Sequence, residues 1–462
     1  MDLTGTLPWQ PPHIAALLAA LQKYGSVLDA SDTGTGKTFC ILIICRILGI
    51  TPLVVGPKAA RAGWEDAGKI LGVEFEYINY EKCRPRLVKQ TEEEFTANGF
   101  NEKRESEYTI EVPWGKGSFV KWRNSYEMVI FDEAHRLGGT TSLNSKLGIA
   151  AKRQAKYVVA LSATAADDPR QMKALGYILG IHGLNTIKCE TKLNWMNWLL
   201  RHGVKPGHFG GWDFTSDEDK QKKSFTKIHG EIFPRHGSRM RKSEIPGFPL
   251  TEVLVKMLDD ETGKAKKITE ELHELNEEGG NQLAATVECR QKLEKLMIPH
   301  FAGFAEDSVA QGSKVVFFLN FTDPLFELYE KLQKQFGNGR VGYISGRQTG
   351  PNGESERRAF VSNFQRNRLD ALCVNIFAGG ESVNLHDEID QVTRDTFSSP
   401  CESGRQYKQQ LGRVNRAKGG FSNQYLCFFA GTRQEVVADR MRHKGLCIDL
   451  FNDASWDRNL VV

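Results

Sequence analysis

Lys37, Thr38, Asp132 and Glu133 have the residue types and neighbours that metal-assisted phosphoryl transfer requires. The first two end the run VLDASDTGTGKT at positions 27–38, where a short apolar stretch turns through Gly34 and Gly36 into the apolar run FCILIICRIL. A strand, a glycine turn and a helix start let the backbone N–H groups of Thr33, Gly34, Thr35 and Gly36 converge on phosphate oxygens, and the helix N-terminus adds partial positive charge. Lys37 would reach the β- and γ-phosphates of a nucleoside triphosphate, and the Thr38 hydroxyl would ligate Mg²⁺. Ser31 stands where the pattern GxxxxGK[ST] has glycine, so the loop is a variant. The other two residues lie in EMVIFDEAHRL, positions 127–137, at the end of an apolar run. Asp132 would hold Mg²⁺, directly or through water, and Glu133 would orient and activate the attacking water.

These side chains need a sheet to hold them. Apolar runs ending near positions 31, 56, 131 and 162, with helical patterns between them, predict a parallel sheet with its site at the C-terminal strand ends. Before the loop, positions 7–24 open with a proline-rich turn and continue with Ile14, Leu17, Leu18 and Leu21 at helical spacing. Gln10 lies in that turn, and its amide can pair with both the acceptor and the donor of an adenine edge. Lys58 and Arg61 follow the strand TPLVVGPK where open α/β sheets place ligands, a position from which they could hold a nucleic-acid phosphate, and Trp64 follows on the next helix. Positions 81–124 mix charges of both signs and then alternate around PWGKG, which predicts a β-hairpin. Gly115-Lys116 there is no phosphate loop, because Gly117 stands where Ser or Thr is needed.

A chain of 462 residues with 40% apolar and 26% charged residues has room for two or three domains, each with a core. The net charge of +4 is small, so any nucleic-acid surface must come from local clusters of the 61 Lys and Arg residues. Nine cysteines without a CxxC pair predict buried thiols in a reducing compartment and argue against zinc. No leader pattern precedes Pro8 and no apolar run approaches the ~18 residues of a membrane span. The expected setting is intracellular, cytoplasmic or nucleoid-associated, or that of a viral protein in its host.

In order and near spacing, GTGKT (34–38), DEAH (132–135) and SAT (162–164) resemble motifs I, II and III of the superfamily 2 helicases and translocases. The second half adds KVVFFLN (314–320) as a new strand series, ALCVNIFAGGESVNL (371–385), similar to motif V, and QQLGRVNRA (409–417), similar to motif VI. Within that superfamily the resemblance narrows to Swi/Snf-type DNA-dependent ATPases and their small viral and bacterial relatives. It does so through VVGPKAARAGWEDA, similar to their motif Ia, the basic segment at 228–249, and the AGG that opens motif V. Ser31 and Ser382 depart from the common pattern.

The resemblance implies an α/β protein of two RecA-like lobes with parallel sheets, joined by a mainly helical segment. The expected boundaries are 1–188 for the first lobe with an insertion at about 81–124, 189–311 for the joining segment and 312–462 for the second lobe. It implies ATP and Mg²⁺ as cofactors, with Gln10, residues 33–38 and Gly380 binding ATP, Thr38 and Asp132 holding the metal, and Lys37, Glu133, Arg413 and Arg416 catalytic. The two arginines would act as arginine fingers, worth roughly 10³–10⁵-fold in rate in related NTPases. His135, Ser162, Thr164 and Gln409 would couple the motifs, and Lys58, Arg61 and Thr322 would grip nucleic acid. Trp195, Trp198 and Trp212, interleaved with Lys220, Lys222, Lys223, Arg235, Arg239, Arg241 and Lys242, suit a nucleic-acid groove and equally a helical subdomain with a solvated basic face.

The expected function is an ATP-dependent DNA translocase or helicase moving along duplex DNA or remodelling branched or annealed DNA, with no membrane partner. An RNA helicase of the same superfamily and a non-hydrolysing ATP-gated clamp are the alternatives. Intact Lys37, Glu133, Arg413 and Arg416 argue against the clamp.

Overall fold

The computed structural model describes residues 3–88, 104–114, 117–184, 193–207, 210–249, 251–277, 282–379, 383–416 and 419–454. Two compact units emerge. The first takes the chain through Glu244 and regains it from Cys447, and the second takes Ile245–Leu446.

The first unit is built on strands β1 (Ser26–Asp29), β2 (Leu53–Gly56), β3 (Glu76–Asn79), β4 (Met128–Asp132), β5 (Tyr157–Leu161) and β6 (Gly237–Ser238). All pairings are parallel and the order is β6-β1-β5-β4-β2-β3. Side chains alternate across a strand, so each apolar run feeds two cores. Leu53, Val55, Val129, Phe131, Val158 and Ala160 enter one core, while Val54, Met128, Ile130, Val159 and Leu161 enter the other. A one-residue slip would exchange these sets, and each buried aliphatic contributes about 1.5–3 kcal/mol relative to exposure, which fixes the register. Helices α1 (Gln10–Tyr24) and α2 (Lys37–Leu48) pack in the second core through Ile14, Leu17, Leu21, Ile41 and Ile44, and α3 (Arg61–Leu71) adds Trp64 and Ala67. Strands at 109–114 and 117–122 pair antiparallel in the predicted hairpin, whose Gly115 and Lys116 lie outside the described residues.

The second unit repeats the plan with β7 (Thr251–Leu258), β8 (Lys314–Leu319), β9 (Val341–Ile344), β10 (Ala371–Asn375), β11 (Arg394–Ser398) and β12 (Ser422–Phe429). The order is β7-β12-β11-β8-β10-β9, again all parallel. Val315, Phe317 and Leu319 face one core, Val316 and Phe318 the other. Helices α4 (Gln282–Leu296), α5 (Thr322–Phe336) and α6 (Gly404–Val414) accompany this half, and α7 (Arg433–Asp453) begins in it and ends in the first unit. Both units are RecA-like α/β lobes with parallel sheets.

Two expectations change. The stretch 189–311 is divided between the units: β6 extends the first sheet beside β1, and β7 extends the second beside β12. The tryptophans that would suit a groove are core residues. Trp195 and Trp198 are 6% and 1% exposed, stacked 5.5 Å apart with His182 against them, and Trp212 packs on the same core. Residues three apart on a helix share a face, and here that face points inward. Of the basic residues, Lys220 pairs with Asp217, Lys222 with Asp219 and Arg239 with Asp32. In α4, Leu293 is buried while Leu283 is 77% exposed.

Candidate active site

The loop between β1 and α2 is bent by Gly34 (φ 89°) and Gly36 (φ 96°), left-handed conformations that favour glycine. A Cβ on Gly36 would stand 2.5 Å from Gln10 Nε2, so a side chain there would fill the space where Gln10 meets the loop. Gln10 begins α1 and is buried; its Nε2 donates to the Thr35 carbonyl at 3.4 Å and its Oε1 accepts from Leu7 N at 2.9 Å. Thr35 Oγ1 donates to the Asp32 carbonyl. Lys37 Nζ folds back onto the loop, donating to the carbonyls of Ser31 at 2.8 Å and Asp32 at 3.0 Å. Thr38 follows in the first turn of α2. The structure therefore gathers Gln10, residues 33–38 and the N-terminus of α2 in one place.

Beneath the loop lies a polar layer that sequence reasoning missed. Asp29 is fully buried; its Oδ1 accepts from Ser31 N at 2.9 Å and its Oδ2 lies 3.1 Å from His13 Nε2. His13 Nδ1 meets Ser238 Oγ at 2.9 Å. Burial alone would raise the Asp29 carboxyl, but His13 and Lys37 hold it below its ordinary value. Past β6, Ala30 N donates to the Ser238 carbonyl, Asp32 N to the Met240 carbonyl, and Met240 N to Ser31 Oγ. Arg239 Nη2 lies 2.7 Å from Asp32 Oδ1 and its Nη1 2.7 Å from Asp453 Oδ2. A signal for this layer existed: an acid ends an otherwise apolar strand, and His13 stands one helical turn after Gln10.

Asp132 ends β4, and β5 lies between it and β1 in the sheet. Its Oδ2 accepts from Trp64 Nε1 at 2.8 Å, its Oδ1 from Glu133 N at 2.9 Å, and its carbonyl from the Tyr80 hydroxyl at 2.9 Å. Burial and the neighbouring Glu133 push the Asp132 carboxyl up to about 6 against the opposing pull of Trp64 and Lys37. Glu133 takes a left-handed backbone (φ 52°), and its Oε2 lies 3.2 Å from His135 Nδ1. His135 Nδ1 is 3.4 Å from Ser162 Oγ, which accepts from Thr164 N at 3.2 Å. Glu133 Oε2 and Ser162 Oγ thus share His135 Nδ1, and with Thr164 N on Ser162 Oγ these contacts join the end of β4 to the loop after β5.

The donor set fits magnesium. Thr38 and Asp132 offer hard oxygens, and two adjacent carboxylates favour a divalent cation. Among the described residues no group of three or more His, Cys, Asp or Glu forms a metal cage. The eight described cysteines are free and buried.

Lys58 and Arg61 are exposed at the C-terminal end of β2, and Arg61 Nε pairs with Glu65 at 2.8 Å. In the second unit, Gln409 and Arg413 are buried on α6. Arg416 lies just beyond that helix, with its Nη2 donating to Asn384 Oδ1 at 2.8 Å. His386, beside Arg416, is pushed down to about 4 by burial and by the Arg416 and Arg394 charges. Thr322 begins α5, and the preceding Asn320 and Phe321 donate their backbone N–H groups to the buried Glu294 at 2.8 and 2.9 Å. Gly380 and Ser382 lie outside the described residues.

Residues 290–418 match the helicase conserved C-terminal domain family. The chain is also similar to a protein of Acanthamoeba polyphaga mimivirus named as an ATP-dependent RNA helicase. Identity is 26% over 434 residues, covering 89% of this chain and 76% of the viral protein. No helix among the described residues is long and apolar enough to cross a membrane. With the two lobes and the ordered motifs, these findings support a member of helicase superfamily 2.

Proposed function

We propose that this chain is an ATP-dependent nucleic-acid motor of the helicase type, in which ATP hydrolysis drives movement along DNA or remodelling of branched or annealed DNA. The observation that carries the proposal is one sheet edge. The phosphate-type loop follows β1 there, and the contacts of Glu133, His135, Ser162 and Thr164 follow β4 and β5. Gln10 reads the adenine and the loop amides hold the phosphates. Lys37 leaves its carbonyl partners to face the β- and γ-phosphates. Thr38 and Asp132 would hold Mg²⁺, which would neutralise charge on the phosphate oxygens. Glu133 accepts a proton from the attacking water and passes its state to His135 and Ser162. Arg416 and Arg413, from the second lobe, stabilise charge that develops in the transition state. Lys58, Arg61 and Thr322 grip the nucleic-acid backbone, a contact that carries position and little sequence information.

The basic segment and motif Ia favour DNA as the track. A second reading, RNA, is favoured by the printed name of the mimiviral relative. Displacement of a third strand from a DNA triplex, run beside unwinding of forked DNA and forked RNA duplexes, separates them. Triplex displacement with poor unwinding supports a duplex DNA translocase. Unwinding confined to the RNA fork would make it an RNA helicase.

A further inference from the structure

Trp64 bonds to the Asp132 carboxylate from a helix that begins with Arg61. Its indole is 1% exposed and packs edge-on to Phe75 with ring centroids 5.8 Å apart, while Tyr77 flanks it at 6.4 Å. The indole N–H is a donor only, and its acceptor is Asp132 Oδ2 at 2.8 Å. The same helix begins with the exposed Arg61, one turn before Trp64, and follows directly on the 3₁₀ turn Lys58–Ala60. The space around this contact is closed. A Cβ on Gly56 would stand 2.4 Å from the Tyr77 hydroxyl and 3.2 Å from Asp132 Cβ. The other carboxylate oxygen of Asp132 is held by Glu133 N, and its carbonyl by Tyr80. One carboxylate oxygen is held by α3 and the other by the residue that follows Asp132 in the chain, so the orientation of the carboxyl depends on where α3 stands.

We propose that Trp64 is a positioning residue that transmits nucleic-acid engagement at Lys58 and Arg61 to the Asp132 carboxylate. A backbone phosphate drawing on Lys58 and Arg61 pulls the start of α3, and Trp64 moves with the helix as one rigid body. Asp132 Oδ2 follows its donor, which sets the carboxyl plane for the metal-bound triphosphate. Nucleic acid thereby speeds hydrolysis from within the first lobe, in addition to anything the second lobe supplies. The inference rests on the motor reading above.

The test uses the full chain with Trp64→Phe, which keeps an aromatic ring in the packing and removes only the N–H. The first measurement is ATPase rate with and without the nucleic acid that stimulates the unsubstituted chain most. The stimulation factor is expected to fall roughly tenfold, the scale of losing one hydrogen bond to a charged group, with the basal rate falling less. The second measurement is the Mg²⁺ concentration for half-maximal binding of a fluorescent ATP analogue. Nucleic acid should lower it in the unsubstituted chain and leave it unmoved in Trp64→Phe, while nucleic-acid affinity stays the same.

Lys58→Gln with Arg61→Gln gives a second route should Trp64→Phe fold poorly: it should also abolish the Mg²⁺ shift at saturating nucleic acid. Where all variants fold, combining the three substitutions should cost no more stimulation than the larger single loss, since one path is cut twice. Multiplying losses, or equal falls in basal and stimulated rate in Trp64→Phe, would overturn the proposal. Failure of the unsubstituted chain to respond to any nucleic acid would instead refute the motor reading, independently of any variant.

Discussion

Arg239 holds Asp32, a residue 207 positions earlier in the chain, with Nη2 2.7 Å from Oδ1, while Lys242 N donates to the second carboxylate oxygen at 2.9 Å. Asp32 belongs to the phosphate-type loop, and its carbonyl is one of the two that receive Lys37. The guanidinium also reaches Asp453 near the end of α7, so one side chain fastens the loop to the far end of the chain. Burial would raise the Asp32 carboxyl, but Arg239 and the Lys242 amide keep it below its ordinary value and therefore charged.

Removing that clamp should loosen the loop before nucleotide arrives. Arg239→Ala is expected to raise the KM for ATP about tenfold with a smaller change in kcat, since ordering the loop is then charged against binding. Arg239→Lys, which keeps the charge but not the planar fork, should recover only part of the loss. Steady-state kinetics on the three proteins checks this; a kcat loss at constant KM would show that Arg239 acts on the chemical step.

Lys37 and Glu133 should separate binding from turnover. Lys37→Ala is expected to lose both, because it removes the cation that faces the phosphates. Glu133→Gln should bind a fluorescent ATP analogue nearly normally and turn it over roughly 10²–10⁴-fold more slowly, since an amide keeps the shape but accepts no proton. Collapse of affinity in Glu133→Gln would make Glu133 a metal ligand or a structural residue.

The two arginines of motif VI should differ. Arg416 lies half-buried beyond the end of α6 with Asn384 as its acceptor, whereas Arg413 is 3% exposed. Arg416→Ala is expected to lower kcat by about 10³-fold or more with little change in ATP affinity and none in thermal stability. Arg413→Ala should lower stability as well, because it empties a buried site. Nucleotide titration, turnover and thermal melting of both variants test the distinction.

How far these positions were legible follows from what each depends on. The strands β1, β2, β4 and β5 were legible because buried parallel strands are continuous apolar runs bounded by turns. Lys37, Thr38, Asp132 and Glu133 stood out because their chemistry lies in local spacing. The pairings Asp32–Arg239, Asp29–His13 and Trp64–Asp132 did not, since each joins residues that only the folded sheet brings together. Trp195 and Trp198 left two readings open for a physical reason: aromatics beside basic residues fit a stacking groove or a core with a solvated rim equally well. The two-residue strand β6 was too short to show a period, and it is what sends the basic segment to the first lobe.

A pH dependence follows from His182, buried against Trp195 and Trp198 with Met172 and Gly183 carbonyls 3.2 Å from its ring nitrogens. Burial pushes it down to about 4, outweighing those carbonyls and the more distant Glu231, with His202 adding to the depression. The folded state keeps the ring neutral while the unfolded chain protonates it below its ordinary value of 6.5, so unfolding takes up a proton. Stability from this group is complete above pH ~6.5 and falls as pH drops towards 4, by up to about 3 kcal/mol. Urea unfolding from pH 7 to 4 should show that slope, and His182→Gln should flatten it whatever its absolute stability. An unchanged slope would mean other groups carry the acid sensitivity.

The most direct test of a nucleic-acid motor is the steady-state ATPase rate of the full chain, alone and with blunt duplex DNA, single-stranded DNA or RNA. Duplex DNA is expected to raise the rate by about tenfold or more, an effect of at least ~1.4 kcal/mol on the barrier, and to lose its effect as salt screens the phosphate contacts. A rate that is abolished in Glu133→Gln yet identical with and without every nucleic acid would contradict it. That result would leave an ATPase whose turnover answers to something else.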